Sequence, residues 1–97
     1  MELRVHPAAE RELDAALSWC TQHYGQRAST RLRLQFERAG TLLMSHPEIG
    51  SPAPTLARQL PLRRYPFTLI YRVDGTVIHL LAVMHQRRQA GYWTERG

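Results

Sequence analysis

The chain has no lysine: all thirteen of its basic residues are arginine. No ammonium group can serve as general acid or base. Every cation is instead a guanidinium that stays protonated and offers planar, two-pronged contacts to phosphate or carboxylate. Proton transfer would fall to histidine, carboxylate or tyrosine. The single cysteine, Cys20, excludes an internal disulfide, and its place on an apolar helical stripe reads as a buried thiol. No stretch approaches the roughly 18 consecutive apolar residues of a membrane span, and no basic start leads into an apolar run of signal-peptide length. The expected location is the cytoplasm, with no membrane partner. The five histidines, His6, His23, His46, His79 and His85, show no HxH, HxxxH or HExxH spacing. Neither a metal site nor a cofactor is expected. Repeats, linkers and low-complexity tracts are also lacking. Residues 1–97 read as one domain, large enough to fold without metal or disulfide.

The charge that is present lies unevenly. Residues 1–53 hold six arginines against six acids (Glu2, Glu10, Glu12, Asp14, Glu37, Glu48) and are neutral. Residues 54–97 hold seven arginines against Asp74 and Glu95, so the whole net charge of +5 sits there. Such asymmetry points to a nucleic acid or an acidic protein as partner of the second half. The segment His85-Gln86-Arg87-Arg88-Gln89-Ala90-Gly91-Tyr92-Trp93-Thr94-Glu95-Arg96 concentrates a histidine, three arginines and two large aromatics directly after an apolar run.

Periodicity orders the elements. Met1 to Val5 alternates like a short strand, and His6-Pro7 ends it, with proline pre-set for a first helical turn. Leu13, Leu17, Cys20 and Tyr24 form one apolar stripe, and Gly25 stands where a helix ends. A second helix is expected from about Gln26 to Ser45, its stripe being Ala28, Leu32, Phe36, Ala39 and Leu43. The very short link implies an antiparallel helical hairpin. Gly40 in mid-helix suggests a close approach there. Residues 46–54, with three prolines and a glycine, read as a loop. Leu56 to Leu62 reads as a strand in which Pro61 is awkward. Phe67 to Val73 and Thr76 to His85 are β-rich runs around Asp74-Gly75, a strong hairpin signal. The fold class is therefore α+β: an N-terminal strand, an antiparallel helical hairpin, then a three-stranded antiparallel sheet.

A two-residue Asp74-Gly75 turn sets Val73 opposite Thr76, Tyr71 opposite Ile78, Leu69 opposite Leu80 and Phe67 opposite Ala82. That apolar set should face the helices. The alternate set, Arg72, Ile70, Thr68 and Pro66 opposite Val77, His79, Leu81 and Val83, would form an open, half-apolar and half-cationic face suited to a bound peptide. Extended one step, Arg64 would lie opposite His85.

This order of elements resembles the RelE/ParE superfamily of toxins from bacterial toxin–antitoxin pairs, nearly end to end. The resemblance rests on His6-Pro7-Ala8-Ala9 with Glu12-Leu13, Trp19, Pro47-Glu48-Ile49-Gly50 and Arg58. It continues through Tyr65-Pro66-Phe67-Thr68-Leu69-Ile70-Tyr71-Arg72 and Leu81-Ala82-Val83-Met84-His85-Gln86-Arg87-Arg88 to Tyr92-Trp93 and Arg96. It implies the toxin of a type II plasmid-stabilisation (addiction) module, held inactive by an antitoxin with a small acidic C-terminal segment. RelE-like members cut messenger RNA on the ribosome and typically use lysines, whereas ParE-like members poison DNA gyrase. The lack of lysine favours the ParE-like branch. The alternatives are a metal-independent, ribosome-dependent endoribonuclease and a decayed toxin that only binds its antitoxin.

Under the nuclease alternative His85 would be the general base for a ribose 2′-hydroxyl, with Arg64 and Arg87 neutralising the phosphate. Otherwise His85 is a strand-end histidine bonded to backbone. Arg58, Arg63, Arg64, Arg72, Arg87, Arg88 and Arg96 are the expected anion- or partner-binding set. Tyr92 and Trp93 either stack on bases or, the preferred expectation for a terminal segment, anchor the tail on the sheet. Trp19 lies outside the main helical stripe and receives no role.

Overall fold

The chain turns from strand to helix at His6-Pro7, where the His6 ring takes the place of the usual capping side chain. Its Nδ1 accepts the Ala8 N–H at 3.0 Å, and Pro7 occupies the first helical position, where no N–H is needed. The structure, a computed structural model describing residues 1–97, runs β1 (Glu2–Val5), α1 (Pro7–Tyr24), α2 (Gln26–Ser45), β2 (Ser51–Ala53), β3 (Ala57–Pro61), β4 (Phe67–Asp74) and β5 (Val77–His85). Gly25 alone joins the helices: its φ of 93° admits the reversal while its N–H still bonds the Thr21 carbonyl at 2.9 Å. Both helices match the expected spans.

The sheet has five strands in the order β1-β5-β4-β3-β2. β1 pairs in parallel with β5, and the other neighbours are antiparallel. Two features enlarge the expected sheet. The first strand joins it beside β5, and residues 51–53, read as loop, form an edge strand on β3. Pro52 is tolerated there because an edge strand leaves one row of N–H groups unused. Pro61 ends β3 rather than interrupting it. Gly40 does mark a close approach: a Cβ there would sit 3.4 Å from the Leu3 side chain.

The β4–β5 register differs from the expectation in two ways. The turn residues are Gly75 and Thr76, with Asp74 opposite Val77 and Val73 opposite Ile78. This moves the pairing by two and preserves the faces, so Tyr71 and Leu69 join the core under the helices as expected. A bulge then intervenes. Tyr71 faces Leu80 but Ile70 faces Ala82, leaving Leu81 as the extra residue. Beyond it the sides are inverted. Ala82, expected toward the helices, belongs to the opposite cluster; Val83, expected on the open face, packs under the hairpin. His85 faces Phe67 rather than Arg64.

The second sheet face is not open. Ile70, Leu81, Ala82 and Ala57 are buried beneath Trp93, itself only 2% exposed, with Met84, Ala53 and Tyr92 at the margin. The chain's own C-terminal segment covers the surface that the sequence left for a peptide.

Candidate functional site

On α1, Glu12, Ala15, Ala16 and Trp19 succeed one another at helical spacing and line the side that meets the end of β5. The facing wall is Pro66 and Phe67 with Val83 and His85, and Arg87 and Arg88 close the rim. The result is a groove of about 440 Å³. The small side chains of Ala15 and Ala16 leave room between its walls, and Phe67 and Trp19 give it apolar sides. Trp19 is half exposed, its ring stacked on His23 at 4.2 Å. The His85 ring stands edge-on to Phe67 with centroids 5.4 Å apart.

His85 Nδ1 accepts the Arg87 backbone N–H at 3.0 Å. A neutral ring making this bond carries its proton on Nε2, so its remaining nitrogen donates rather than accepts. That is the geometry of a strand-end histidine tied to backbone, and it fixes the turn that presents Arg87. Arg87 is exposed and makes no ion pair. The Arg88 guanidinium lies over the Tyr92 ring, 4.1 Å from its centroid, and 4.0 Å from a Glu12 oxygen, with about half of its side chain open to solvent.

Glu12 organises the floor. Its carboxylate accepts Arg96 Nη1 at 2.9 Å and Nη2 at 3.2 Å, the Tyr92 hydroxyl at 2.7 Å and the Val83 N–H at 3.0 Å. Arg96 Nη1 also bonds the Leu81 carbonyl at 3.0 Å. Burial by itself would raise the Glu12 pKa, but the bonds from Arg96, Tyr92 and Val83 outweigh it and hold the carboxyl below its ordinary value. Burial, and then the bond to Glu12, push the Tyr92 hydroxyl up to about 12. The Glu12 bond raises Arg96 as well.

The remaining candidates divide by where their donors point. Arg58 Nη1 bonds the carbonyls of Gly50 (2.8 Å) and Glu48 (3.3 Å). Arg72 Nη2 bonds the Thr55 carbonyl and hydroxyl, both at 3.3 Å. Arg58, Arg72, Arg96, Tyr92 and Trp93 are thus engaged by the chain itself. Arg63 and Arg64 lie in the β3–β4 turn and border a separate cleft against α2, so His85, Arg64 and Arg87 do not share one cavity. The bulge and the tight turn account for that separation. No three His, Cys, Asp or Glu side chains converge as metal ligands would, and no helix is long and apolar enough to cross a membrane.

Glu12 and Trp19 were underrated by the sequence. In the sequence Glu12 counts only among the six acids of the first half and in the Glu12-Leu13 pair of the resemblance, yet it lies three residues after Ala9 and four before Ala16, both buried. A carboxylate bordering a buried stripe needs a partner, and the arginine-rich tail supplies one. Trp19 is marked in the sequence only by the resemblance and by its position beside the stripe.

A helical hairpin on one face of a five-stranded sheet, a self-covered second face and a cationic groove beside α1 define a small α+β domain of RelE/ParE-like fold. The model of the family described as the ParE toxin of the type II toxin–antitoxin system parDE matches residues 3–90, and the chain belongs to that family. Among solved structures it is similar to a chain of the chromosomal ParDE TA system from P. aeruginosa, at 24% identity and a TM-score of 0.76. That match covers 88% of this chain and 95% of the other. Comparison with curated proteins gives no match.

Proposed function

We propose that this chain, a toxin of the ParE family, inhibits DNA gyrase and is neutralised by an acidic antitoxin segment that occupies the groove between α1 and the end of β5. The observation that carries this reading is the groove itself. It has Ala15, Ala16 and Val83 beside the Glu12 carboxylate, the aromatic rings of Trp19 and Phe67, and the exposed guanidiniums of Arg87 and Arg88. A peptide that alternates apolar anchors with carboxylates complements such a surface. An antitoxin bound there would cover the arginines that a gyrase surface would engage, so neutralisation follows from competition for one site. The Ile70, Leu81 and Val83 surface is no longer a candidate, because all three residues are buried. Within this groove the accessible members of the expected partner-binding set are Arg87 and Arg88.

The nuclease alternative has less support. The Nδ1 of His85 is engaged by Arg87, and Arg64 borders another cleft. The test is induced expression of wild type, His85→Ala and Arg87→Glu, with gyrase-dependent DNA breaks and ribosome-bound RNA cleavage read in parallel. Arg87 makes no ion pair within the chain, so its charge reversal leaves the fold intact. Gyrase-dependent breaks should persist in His85→Ala and fall in Arg87→Glu. Co-expressed antitoxin should suppress them, and its affinity should drop as salt rises, since exposed charge pairs are screened over roughly 8–10 Å. RNA cleavage by wild type that vanishes in His85→Ala, without DNA breaks, would replace gyrase by the ribosome.

A further inference from the structure

We propose that the cleft between α2 and the β3–β4 turn is a second, independent binding site, which takes the phosphate backbone of a nucleic acid strand. Arg31 and Arg38 project into it from α2, and Arg63 and Arg64 from the turn, with Gln35 and Tyr65 in the wall; its volume is about 460 Å³. All four arginines are exposed, and no acidic residue lines the cleft. The ion pairs of the chain, Arg4 with Glu2 and Arg88 and Arg96 with Glu12, lie elsewhere. Four like charges brought together without a counter-charge repel one another until an anion enters.

The backbone adds a second, unrelated observation. Arg64 has a φ of 69°, the left-handed region that favours glycine. The turn therefore holds a guanidinium where a residue without a side chain would fit with less strain, and strain of this kind collects at binding sites. The spacing favours a chain of phosphates over a single one: seven residues separate Arg31 from Arg38, roughly 10 Å along the helix axis at 1.5 Å per residue. An adjoining hollow of about 250 Å³ shares Arg38 and Arg63 and is lined by Leu42, Leu60, Pro61 and Leu62. It offers an apolar surface for the sugar and base that accompany each phosphate. This site does not depend on the gyrase reading, since its residues are not those of the α1 groove.

The test is fluorescence anisotropy of the full chain with a labelled single-stranded oligonucleotide, titrated between about 50 and 200 mM salt. Three or four phosphate contacts to a single strand predict a slope of log K against log salt of about −2 to −3, or a roughly 20- to 50-fold loss of affinity over that range. Arg31→Ala with Arg38→Ala, and separately Arg63→Ala with Arg64→Ala, should each reduce the slope by about 1.4. The control Arg11→Ala with Arg33→Ala, which removes equal charge elsewhere, should leave the slope unchanged. Arg64→Gly should reduce it by about 0.7 while its thermal transition stays at or above that of wild type, which separates lost binding from lost folding. Absence of binding at the lowest salt, or equal losses in the control and cleft variants, would overturn the assignment. So would ATP that binds as tightly as the oligonucleotide, or a polyglutamate peptide that binds more tightly, because each identifies a different occupant.

Discussion

Replacing Glu12 by alanine should be among the most damaging single changes this chain can suffer, although Glu12 lies in the first helix and its partners lie in the last fifteen residues. The side chains of Glu12 and Arg96 are only 15% and 17% exposed. Truncating one member of a buried pair strands the other and costs about 3–5 kcal/mol when burial is complete. Residual exposure puts the Arg96 contribution near the lower end, about 3 kcal/mol. The Tyr92 hydroxyl and the Val83 N–H also lose a charged acceptor, but water entering the vacated space recovers part of that loss. A total of about 3–4 kcal/mol is a large share of the 5–15 kcal/mol that hold a domain of this size together. At about 4–8 °C per kcal/mol, the thermal midpoint should drop by roughly 12–32 °C. Urea titration of wild type, Glu12→Ala, Arg96→Ala and the double variant gives the coupling directly, expected at about 1.5–3 kcal/mol. A coupling below about 0.5 kcal/mol, with a midpoint shift of under about 5 °C, would refute the reasoning and make the tail a separable appendage.

The same carboxylate sets the acid limb of stability. Its folded-state pKa lies below the ordinary value of 4.5. A depressed carboxyl contributes stability that is complete above the unfolded pKa and is lost as pH falls through the folded one. Stability should therefore decline as pH drops below about 4.5, and Glu12→Gln should flatten that decline. Tyr92 acts at the other end. With its pKa pushed up from 10.0 to about 12, its contribution is complete below the unfolded value and disappears as pH rises through the folded one. Unfolding followed from neutral pH downward and upward reads both limbs.

Trp93→Ala should cost about 3–5 kcal/mol and uncover Ile70, Leu81 and Ala82, measurable as a lower urea midpoint with increased binding of a hydrophobic dye. Gly50→Ala should destabilise by about 2 kcal/mol or more, because the new Cβ would fall 2.7 Å from the Tyr71 hydroxyl and 2.8 Å from the Gln59 carbonyl. Tyr71→Phe, which removes the 2.8 Å bond to the Pro47 carbonyl and strands the Gly50 N–H held at 2.9 Å, should cost about 1–3 kcal/mol in the same assay and loosen residues 47–50 in hydrogen exchange.

What the sequence revealed follows the range over which its signals act. Both helices were legible to their ends because their stripes repeat every three or four residues and their limits are marked by Pro7 and Gly25, each acting through its own backbone. The hairpin was legible for a similar reason, and the identity of the turn residues mattered little, since a shift by two leaves every side chain on its side. The bulge at Leu81 was not legible. One unpaired residue in the unbroken apolar run of Leu80 to Met84 leaves no local mark, because each of those residues is apolar enough for either face of a sheet covered on both. Its consequences were large: it turned Val83 and His85 toward α1 and separated His85 from Arg64.

Among the basic residues, type alone could not distinguish a guanidinium that binds a partner from one that holds the chain together. Arg96 and Arg87 stand nine positions apart in one cationic tail, yet Arg96 meets Glu12 and Arg87 meets solvent. The difference is set by a carboxylate more than seventy residues away in sequence, which no window along the tail contains. The covered second face has the same origin. Trp93 closes over Ile70 and Leu81 because Glu12 fixes Tyr92 and Arg96 on either side of it. The groove that presents Arg87 and Arg88 is bounded by the same carboxylate. A single, largely buried carboxylate therefore ties the tail to the sheet while leaving Arg87 open to solvent and Arg88 about half open, so that the stability of the fold and the shape of the groove depend on one side chain.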